Sequence, residues 1–203
     1  MSAPRVTILD YGAGNLHSLA KALVVADADV AIESDPVRAV ADTDALILPG
    51  VGAFGAAAAR LLPGHAAVRR ALADGLPCLG ICLGMQLLFD ASDEGRGLGL
   101  GIIPGTVTRL RAARVPQIGW NAIDDAADPL FDRAPLPLGY FANSFVCRPI
   151  STDSVVAWST HEADRFPAAV RAGRTVGVQF HPEKSSRPGL GFLRAFLDEV
   201  VAR

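Results

Sequence analysis

The sequence lacks the features that mark secreted and membrane-spanning proteins. It contains only three cysteines among 203 residues, an odd number that gives no disulfide framework. No charged segment followed by an apolar stretch precedes the strand-like run at residues 6–9, so we expect no signal peptide. The longest apolar runs fall well short of a membrane span. We therefore predict a cytoplasmic protein that has no membrane partner.

The sequence also lacks the marks of nucleic-acid and metal binding. Its 19 basic and 21 acidic residues give a net charge of −2, and the arginines at residues 109–114 are interrupted by apolar residues, as in a solvated loop or strand edge. No His or Cys pair completes a metal site with Cys78 and Cys82. The zinc motif H-E-x-x-H beginning at His161 fails because Arg165 replaces the second His. We expect no nucleic acid, no metal and no cofactor.

Strand-like and helix-like segments alternate through most of the chain. Predicted strands lie at residues 6–9, 28–32, 45–48, 79–81 and 176–180, and predicted helices at 15–27, 65–74, 84–91 and 190–201, with a further helix start at Asp35-Pro36. Such alternation indicates an α/β fold with a parallel sheet and right-handed crossovers. Residues 95–145 are rich in glycine, proline and short apolar runs and predict a small mixed or antiparallel extension. No linker or repeat interrupts the chain, so one domain is the simplest count.

The segment Gly80-Ile81-Cys82-Leu83-Gly84 carries the most chemical information. It has the form G-x-C-x-G between a predicted strand and a predicted helix, which parallels the nucleophile elbow of hydrolases. A tight strand–turn–helix strains its central residue, and the flanking glycines remove clashes with the turn. Such a turn presents the Cys82 thiol at the carboxyl edge of the sheet and at a helix N-terminus, which favours the thiolate. It also directs the Leu83 N–H toward the place where an oxyanion would form.

A structural role is the alternative for each of the three cysteines. A cysteine in a close-packed strand–helix turn is often simply buried. We prefer that interpretation for Cys78 and Cys147, because neither has flanking glycines. The glycines on both sides of Cys82 favour a catalytic role for that residue.

Two glycine-rich patterns follow predicted strands. Residues 50–55 match G-x-G-x-x-G, but Asp74 lies before the next strand, where a dinucleotide site needs an acidic residue at that strand's end. The pattern at residues 10–15 is incomplete, because His17 stands where a third glycine is required. A turn with positive φ explains residues 50–55 without any ligand. We prefer a third interpretation, in which this loop turns backbone N–H groups toward a neighbouring active site.

A cysteine nucleophile needs a histidine base and a group that orients it. His181-Pro182-Glu183 follows a predicted strand, and residues i and i+2 of an extended chain face the same side. Glu183 can therefore reach the imidazole, while Pro182 fixes the backbone between them. An isolated H-x-E would be a surface turn, but the Cys82 elbow in the same chain favours the functional interpretation. His17 and His65 have no acidic neighbour in sequence.

Together these segments resemble the class I (triad) glutamine amidotransferases. The resemblance narrows to the glutaminase subunits of imidazole glycerol phosphate synthases, which act in histidine biosynthesis. The segments that carry it are Asp10-Tyr11-Gly-x-Gly-Asn15-Leu16, Pro49-Gly-Val-Gly-Ala-Phe-Gly55, Gly80-Ile-Cys-Leu-Gly-Met-Gln86, Gly119-Trp-Asn121 and Gln179-Phe-His-Pro-Glu-Lys-Ser185. The chain departs from the pattern at Gln117 and Asn143, where the family often has histidines, and at Phe145, where it often has tyrosine. These departures bear on subunit coupling and leave the triad intact.

The resemblance implies a fold, a mechanism and a partner. The fold is a flavodoxin-like open mixed sheet, mostly parallel and flanked by helices, in a single amidotransferase domain over residues 1–203. Cys82 attacks glutamine, His181 moves the proton and Glu183 holds His181. The implied remaining residues are Leu83, Val51 and Gly52 at the oxyanion, Gly50, Gly52, Gln86, Ser144 and Phe145 around glutamine, and Asn15, Trp120 and Lys184 toward a partner.

The implied partner is a cyclase subunit with a (β/α)8 barrel, which uses the ammonia to make imidazole glycerol phosphate and an aminoimidazole carboxamide ribotide. The family is almost silent until that partner binds its ligand, and a turning peptide in the loop at residues 50–52 gives a physical route to such control. Only Lys21 and Lys184 of the 19 basic residues are lysine, which suggests that position 184 needs a compact charge. The alternatives are the glutaminase of another ammonia-using synthase, an inactive binding module on the same fold, and a cysteine peptidase.

Overall fold

The computed structural model describes residues 3–12 and 14–202. Its strands are β1 Arg5–Leu9, β2 Asp29–Glu33, β3 Ala45–Leu48, β4 Cys78–Ile81, β5 Ala91–Ser92, β6 Gly105–Arg109, β7 Gln117–Ala122, β8 Leu138–Asn143, β9 Phe145–Pro149, β10 Val155–His161, β11 Asp164–Ala172 and β12 Thr175–Val178. Its α-helices are α1 Leu16–Val25, α2 Phe54–Leu61, α3 His65–Ala73, α4 Leu83–Gln86, α5 Pro129–Arg133 and α6 Ser186–Val201. In this part of the chain, no helix has the length and apolar character needed to cross a membrane.

Seven strands form the central sheet, in the order β10-β11-β12-β4-β3-β1-β2. The five strands from β12 to β2 pair in parallel, and β10 and β11 add an antiparallel edge. Outside this sheet, β6 pairs antiparallel with β9 and β7 pairs antiparallel with β8. The predicted open, mostly parallel sheet with a small antiparallel extension is therefore confirmed.

The central strands lie in the middle of the sheet because their sequences are continuously apolar. Every residue of β3, β4 and β12 is buried, as expected for parallel strands that are covered on both faces. One core lies on each face of the sheet. Phe180 and Phe192 stack edge to face in one core at a ring separation of 5.6 Å, and Phe54 and Phe89 are fully buried in the other.

The helix predicted at residues 84–91 is wrong in length, because α4 ends at Gln86. The chain turns back instead of continuing the helix. The carbonyls of Leu87 and Leu88 accept hydrogen bonds from Leu100 and Ile102, at 2.6 and 2.8 Å, and residues 91–92 form β5. These acceptors are occupied by a returning segment that local periodicity does not reveal.

Two other helix predictions need correction, and one helix was not predicted. The start predicted at Asp35-Pro36 leads only to one 3₁₀ turn at Arg38–Val40, although Asp35 caps it as expected by accepting from the Val37 N–H at 2.8 Å. The helix α2 was not delimited by the sequence. The last helix begins at Ser186 instead of residue 190, because Pro188 is tolerated in a first helical turn.

Candidate active site

Cys82 occupies the turn between β4 and α4 at the carboxyl edge of the sheet. Its backbone has φ 50° and ψ −102°, a strained conformation for a residue other than glycine. A Cβ on Gly80 would lie 2.6 Å from the Gly84 carbonyl oxygen, and one on Gly84 would lie 1.9 Å from the Leu48 carbonyl oxygen. Both glycines therefore have the steric role that the sequence predicts, and Gly84 also lets the turn pack against β3.

His181 and Glu183 follow β12, the parallel neighbour of β4. Val178 pairs with Ile81, so the two strands deliver His181 and Cys82 to the same edge. His181 is only 1% exposed, and its Nδ1 lies 2.8 Å from the Glu183 Oε1. This contact assigns the proton to Nδ1 and leaves Nε2 available to the nucleophile. Within the described residues Nε2 makes no hydrogen bond of ordinary geometry.

The charge state of His181 depends on its two neighbours. Burial lowers the pKa of the imidazole, but the neighbouring Cys82 sulfur and Glu183 carboxylate outweigh burial and raise the pKa from its usual 6.5 to about 9. The imidazole can therefore hold a proton beside the sulfur at neutral pH. That is the state from which it can protonate a leaving amine.

Hydrogen bonds from the turn that follows His181 and from β8 fix the backbone of His181. Ser185, which is fully buried, donates from Oγ to the His181 carbonyl oxygen at 2.7 Å and accepts from the Tyr140 N–H at 3.0 Å. The His181 N–H donates to the Tyr140 carbonyl oxygen at 2.8 Å. These bonds tie the candidate base to β8.

Gln179 is a site residue that the sequence analysis missed. Its side chain is fully buried, and Nε2 donates to the Cys82 Sγ at 3.3 Å. Its Oε1 accepts from the Gln86 Nε2 at 3.3 Å, and the same Gln86 nitrogen is 3.1 Å from the Phe145 carbonyl oxygen. Gln179 precedes His181 by two residues at the end of the segment that the sequence predicts as a strand, so the i, i+2 spacing was a signal that could have found it.

A cavity of about 180 Å³ opens beside the Cys82 thiol. It contains every residue predicted for the oxyanion and for glutamine. The lining consists of Gly50, Val51, Gly52, Cys82, Leu83, Gln86, Glu94, Ala142, Asn143, Ser144 and Phe145. This volume is well below the roughly 300 Å³ at which drug-sized pockets begin, so the cavity suits a small metabolite such as one amino acid.

Glu94 supplies the carboxylate in this lining and was not predicted from the sequence. Its Oε2 accepts a hydrogen bond from the Phe54 N–H, the first of α2, at 2.8 Å. One carboxylate oxygen is thereby fixed at a helix N-terminus, and the group faces the cavity as an acceptor for a cation. No motif around Glu94 marks it, because its partner is 40 residues away in the chain.

The three residues predicted to face a partner lie on one side of the site. Asn15 and Lys184 line a narrow cleft that also includes Gly50, Val51, His181 and Glu183. Trp120 is 53% exposed, and its ring meets the Tyr140 ring edge to face at 6.2 Å. The Lys184 Nζ lies 5.8 Å from the centre of the same Tyr140 ring. Tyr140 thus joins Trp120 to Lys184.

The family departures at positions 117 and 143 form one structural feature. Gln117 and Asn143 are direct partners across β7 and β8, and both side chains are at least 95% buried. The Gln117 Oε1 and the Asn143 Oδ1 have no hydrogen-bond partner in the described part of the chain. The two exchanges therefore place one amide, Asn143, in the cavity lining and a second, Gln117, beside it on the neighbouring strand.

The remaining cysteines have the structural role expected of them. Cys78 and Cys147 are fully buried, and burial raises the pKa of each thiol above its usual range. Residues 3–12 and 14–202 contain no group of three or more His, Cys, Asp and Glu that could hold a metal ion. Asp74, the residue tested for a dinucleotide site, ends α3 at the opposite edge of the sheet from residues 50–55.

Comparison with known proteins decides the family. The profile described as "Glutamine amidotransferase class-I" matches residues 7–200. The chain belongs to the class-I glutamine amidotransferase family. Similar relatives of this amidotransferase, each named "Imidazole glycerol phosphate synthase subunit HisH", occur in Microcystis aeruginosa, at 40% identity over 96% of this chain and 95% of the relative, and in Corynebacterium glutamicum, at 41% identity over 96% and 98%. The Symbiobacterium thermophilum relative of the same name is 44% identical over 93% and 91%.

Solved structures agree with this amidotransferase fold. A crystal structure described as a glutamine amidotransferase superposes with a TM-score of 0.74 at 20% identity, covering 98% of this chain and 99% of the other. A glutamine amidotransferase of Thermotoga maritima gives 0.71 at 18% identity, with both chains fully covered. At these identities the likeness concerns the fold alone.

Proposed function

We propose that this protein is the glutaminase subunit of an imidazole glycerol phosphate synthase and hydrolyses glutamine to glutamate and ammonia for a partner cyclase. The observation that carries the proposal is that Cys82 lines an amino-acid-sized cavity while its sulfur interacts with His181, which Glu183 holds. The name shared by relatives about 40% identical over nearly the whole chain supplies the synthase and its place in histidine biosynthesis.

The first half-reaction forms a thioester. The Cys82 sulfur attacks the side-chain amide carbon of glutamine, and the electrons of the C=O bond move to the oxygen. The N–H groups of Leu83, Val51 or Gly52 receive that oxyanion. Val51 and Gly52 suit this role because neither N–H donates a backbone hydrogen bond in the described part of the chain. Protonated His181 then gives its proton to the departing nitrogen, and ammonia leaves.

The second half-reaction regenerates the enzyme. Water attacks the thioester carbon, and neutral His181 accepts the proton that the water loses. The carbon–sulfur bond breaks, glutamate leaves, and the Cys82 sulfur returns beside a protonated imidazole. Glu183 keeps Nδ1 of His181 protonated throughout, so that Nε2 exchanges the proton.

Recognition of glutamine follows from the cavity lining. Glu94 has a carboxylate suited to the α-ammonium of the substrate, while backbone and side-chain groups of Ser144 and Phe145 are suited to the rest of the amino acid. Gln86 donates hydrogen bonds to the Phe145 carbonyl and to the Gln179 side chain. Because Gln179 in turn donates to the Cys82 sulfur, Gln86 links the cavity lining to the sulfur. A peptide substrate would need an open groove, and the small cavity disfavours a peptidase.

A (β/α)8-barrel cyclase is proposed to bind on the side of Asn15, Trp120 and Lys184. The outer face of the paired strands β7 and β8 exposes Ile118, Trp120 and Leu138, which are 68%, 53% and 52% exposed. Alternation along the two strands places these side chains on one face, so they form an apolar patch next to the Lys184 cleft. Ammonia released at Cys82 would leave through that cleft toward the partner.

Exchange of Cys82 tests the proposal. The Cys82→Ala complex should lose glutamine-dependent synthesis but keep synthesis from free ammonia, because the cyclase chemistry is untouched. The matched control is Cys78→Ala, a buried cysteine at the start of β4, the strand that leads to Cys82; this variant should retain both activities. Loss of both activities in Cys82→Ala, with an intact complex, would count against the assignment. Activation by the barrel subunit of a different synthase would favour another ammonia-using enzyme.

A further inference from the structure

Tyr11 is a buried residue whose hydroxyl the proposed chemistry does not use. Its side chain is 5% exposed and packs in the core with Leu48, Phe54 and Leu83. The hydroxyl donates to the carbonyl oxygen of Pro49, the residue directly before the glycine loop (residues 50–52). Burial, and then the charges of Cys82 and Cys78, raise the pKa of Tyr11 well above its usual value, so the hydroxyl stays protonated as a donor.

The upstream end of the glycine loop is held on several sides. The Pro49 ring fixes φ, and Tyr11 holds the Pro49 carbonyl. A Cβ on Gly50 would lie 2.1 Å from the Ile81 carbonyl oxygen and 2.9 Å from the Cys82 Cβ, so Gly50 is packed directly against the nucleophile turn. The loop cannot shift as a whole at this end without displacing Cys82.

The downstream end of the same loop is open. Gly52 is exposed and has φ +141°, and a Cβ there would meet only the Leu83 Cδ2, at 3.4 Å. The N–H groups of Val51 and Gly52 donate no backbone hydrogen bond within the described residues. Rotation of the chain is therefore confined to the peptides around Val51 and Gly52, the ones that supply the oxyanion donors.

The segment that contains Tyr11 touches the glycine loop at a second point. A Cβ on Gly14 would lie 3.2 Å from the Val51 Cγ2, so Gly14 and Val51 are in close contact. Asn15, which follows Gly14, lines the cleft on the partner side. One segment thus contacts the fixed end of the loop through Tyr11 and its turning part through Gly14.

We propose that Tyr11 is a positioning residue for glutamine hydrolysis. Its hydrogen bond to Pro49 fixes the upstream end of the glycine loop. Contact of the partner at Asn15 then turns the Val51–Gly52 peptide instead of displacing the whole loop. This role rests on the proposed function, since it needs an oxyanion at the glycine loop. Without this hydrogen bond, the Val51 and Gly52 N–H groups would still be present but would be poorly placed for the oxyanion.

Tyr11→Phe tests this role in the complex with the cyclase and its ligand. The kcat for glutamine hydrolysis should fall at least about tenfold, with KM unchanged to within about twofold, because misplaced oxyanion donors weaken transition-state stabilisation more than ground-state binding. Alkylation of Cys82 by iodoacetamide should proceed at the wild-type rate, because that displacement forms no oxyanion. Synthesis from free ammonia should also be unchanged.

Thr43→Val is the matched control for loss of a hydroxyl–carbonyl bond. The Thr43 hydroxyl donates to the Ala45 carbonyl oxygen at 2.8 Å, at the opposite end of β3 from Pro49. The melting temperature of the Thr43→Val variant should fall, while its kcat for glutamine hydrolysis stays at the wild-type value. Wild-type kcat in Tyr11→Phe, or an equal loss in Thr43→Val, would overturn the inference. A wild-type complex without glutaminase activity would instead refute the proposed function, so the two failures are distinguishable.

Discussion

The two sides of the Cys82 thiol are built differently. On the side of His181, the groups are buried and bonded: Glu183 holds the imidazole, and Ser185 ties the following turn to β8. On the other side, the glycine loop (residues 50–52) exposes Gly52 and has backbone N–H groups without partners in the described chain. The proposed acid–base machinery is therefore preformed, whereas the proposed oxyanion support can change. The proposed control by a partner requires only the second side to move.

The largest expected effect comes from breaking the preformed side. Glu183→Gln should lower kcat for glutamine hydrolysis by about a thousandfold, because the amide no longer fixes the imidazole tautomer or stabilises its charge. Thermal melting should change little, since the exchange is nearly isosteric. Steady-state assays of the complex measure the effect, and a loss below about tenfold would show that Glu183 does not orient the base.

A smaller loss is expected from the loop side. Gly52→Ala should lower kcat by about a hundredfold, because an L residue is strained at φ +141° and would displace the oxyanion N–H groups. Gly173→Ala is the control: it has φ +58° and open space around the added Cβ, in the turn between β11 and β12. Both variants should melt at similarly reduced temperatures, with Gly173→Ala fully active. Full activity in Gly52→Ala would remove the loop from the oxyanion site.

The smallest expected effect is a change in the pKa of His181. Cys82→Ala should lower the pKa of His181 below the value of about 9, because the interaction of the imidazole with the sulfur is lost. A raised pKa stabilises the fold fully below the unfolded value of 6.5, and this contribution disappears as pH rises through about 9. Wild-type unfolding free energy should therefore decline more than that of Cys82→Ala across this window. NMR of the imidazole protons and denaturation at several pH values measure both quantities, and an unchanged His181 pKa would contradict the coupling.

The same contrast explains what the sequence could predict. Cys82, His181 and Glu183 were accessible because each effect is local: the elbow glycines flank the cysteine, and the base and its carboxylate are two residues apart. The extended chain expected at residues 181–183 was wrong, because a 3₁₀ turn at Pro182–Lys184 brings the carboxylate to the imidazole. The alternating strands were accessible for a similar reason, since β3 and β4 are continuous apolar runs. Local pattern thus determines the rigid side of the site.

Residues that act through distant contacts could not be found in this way. Glu94 reaches the site through the Phe54 N–H, and Tyr11 acts on Pro49, 38 residues further along the chain. The early end of α4 has the same origin, because the returning segment near Leu100 takes the Leu87 carbonyl. Each depends on tertiary pairing, which periodicity and spacing do not encode.

Trapping the thioester shows whether Cys82 forms the covalent intermediate and whether the partner controls its formation. The protein would be mixed with excess glutamine, quenched in acid within the first turnovers, and mapped by peptide mass spectrometry, both alone and with the barrel cyclase and its ligand. We expect a γ-glutamyl group on Cys82 that accumulates much faster when the partner is present. A γ-glutamyl group on Cys78 or Cys147, or equal accumulation without the partner, would contradict it.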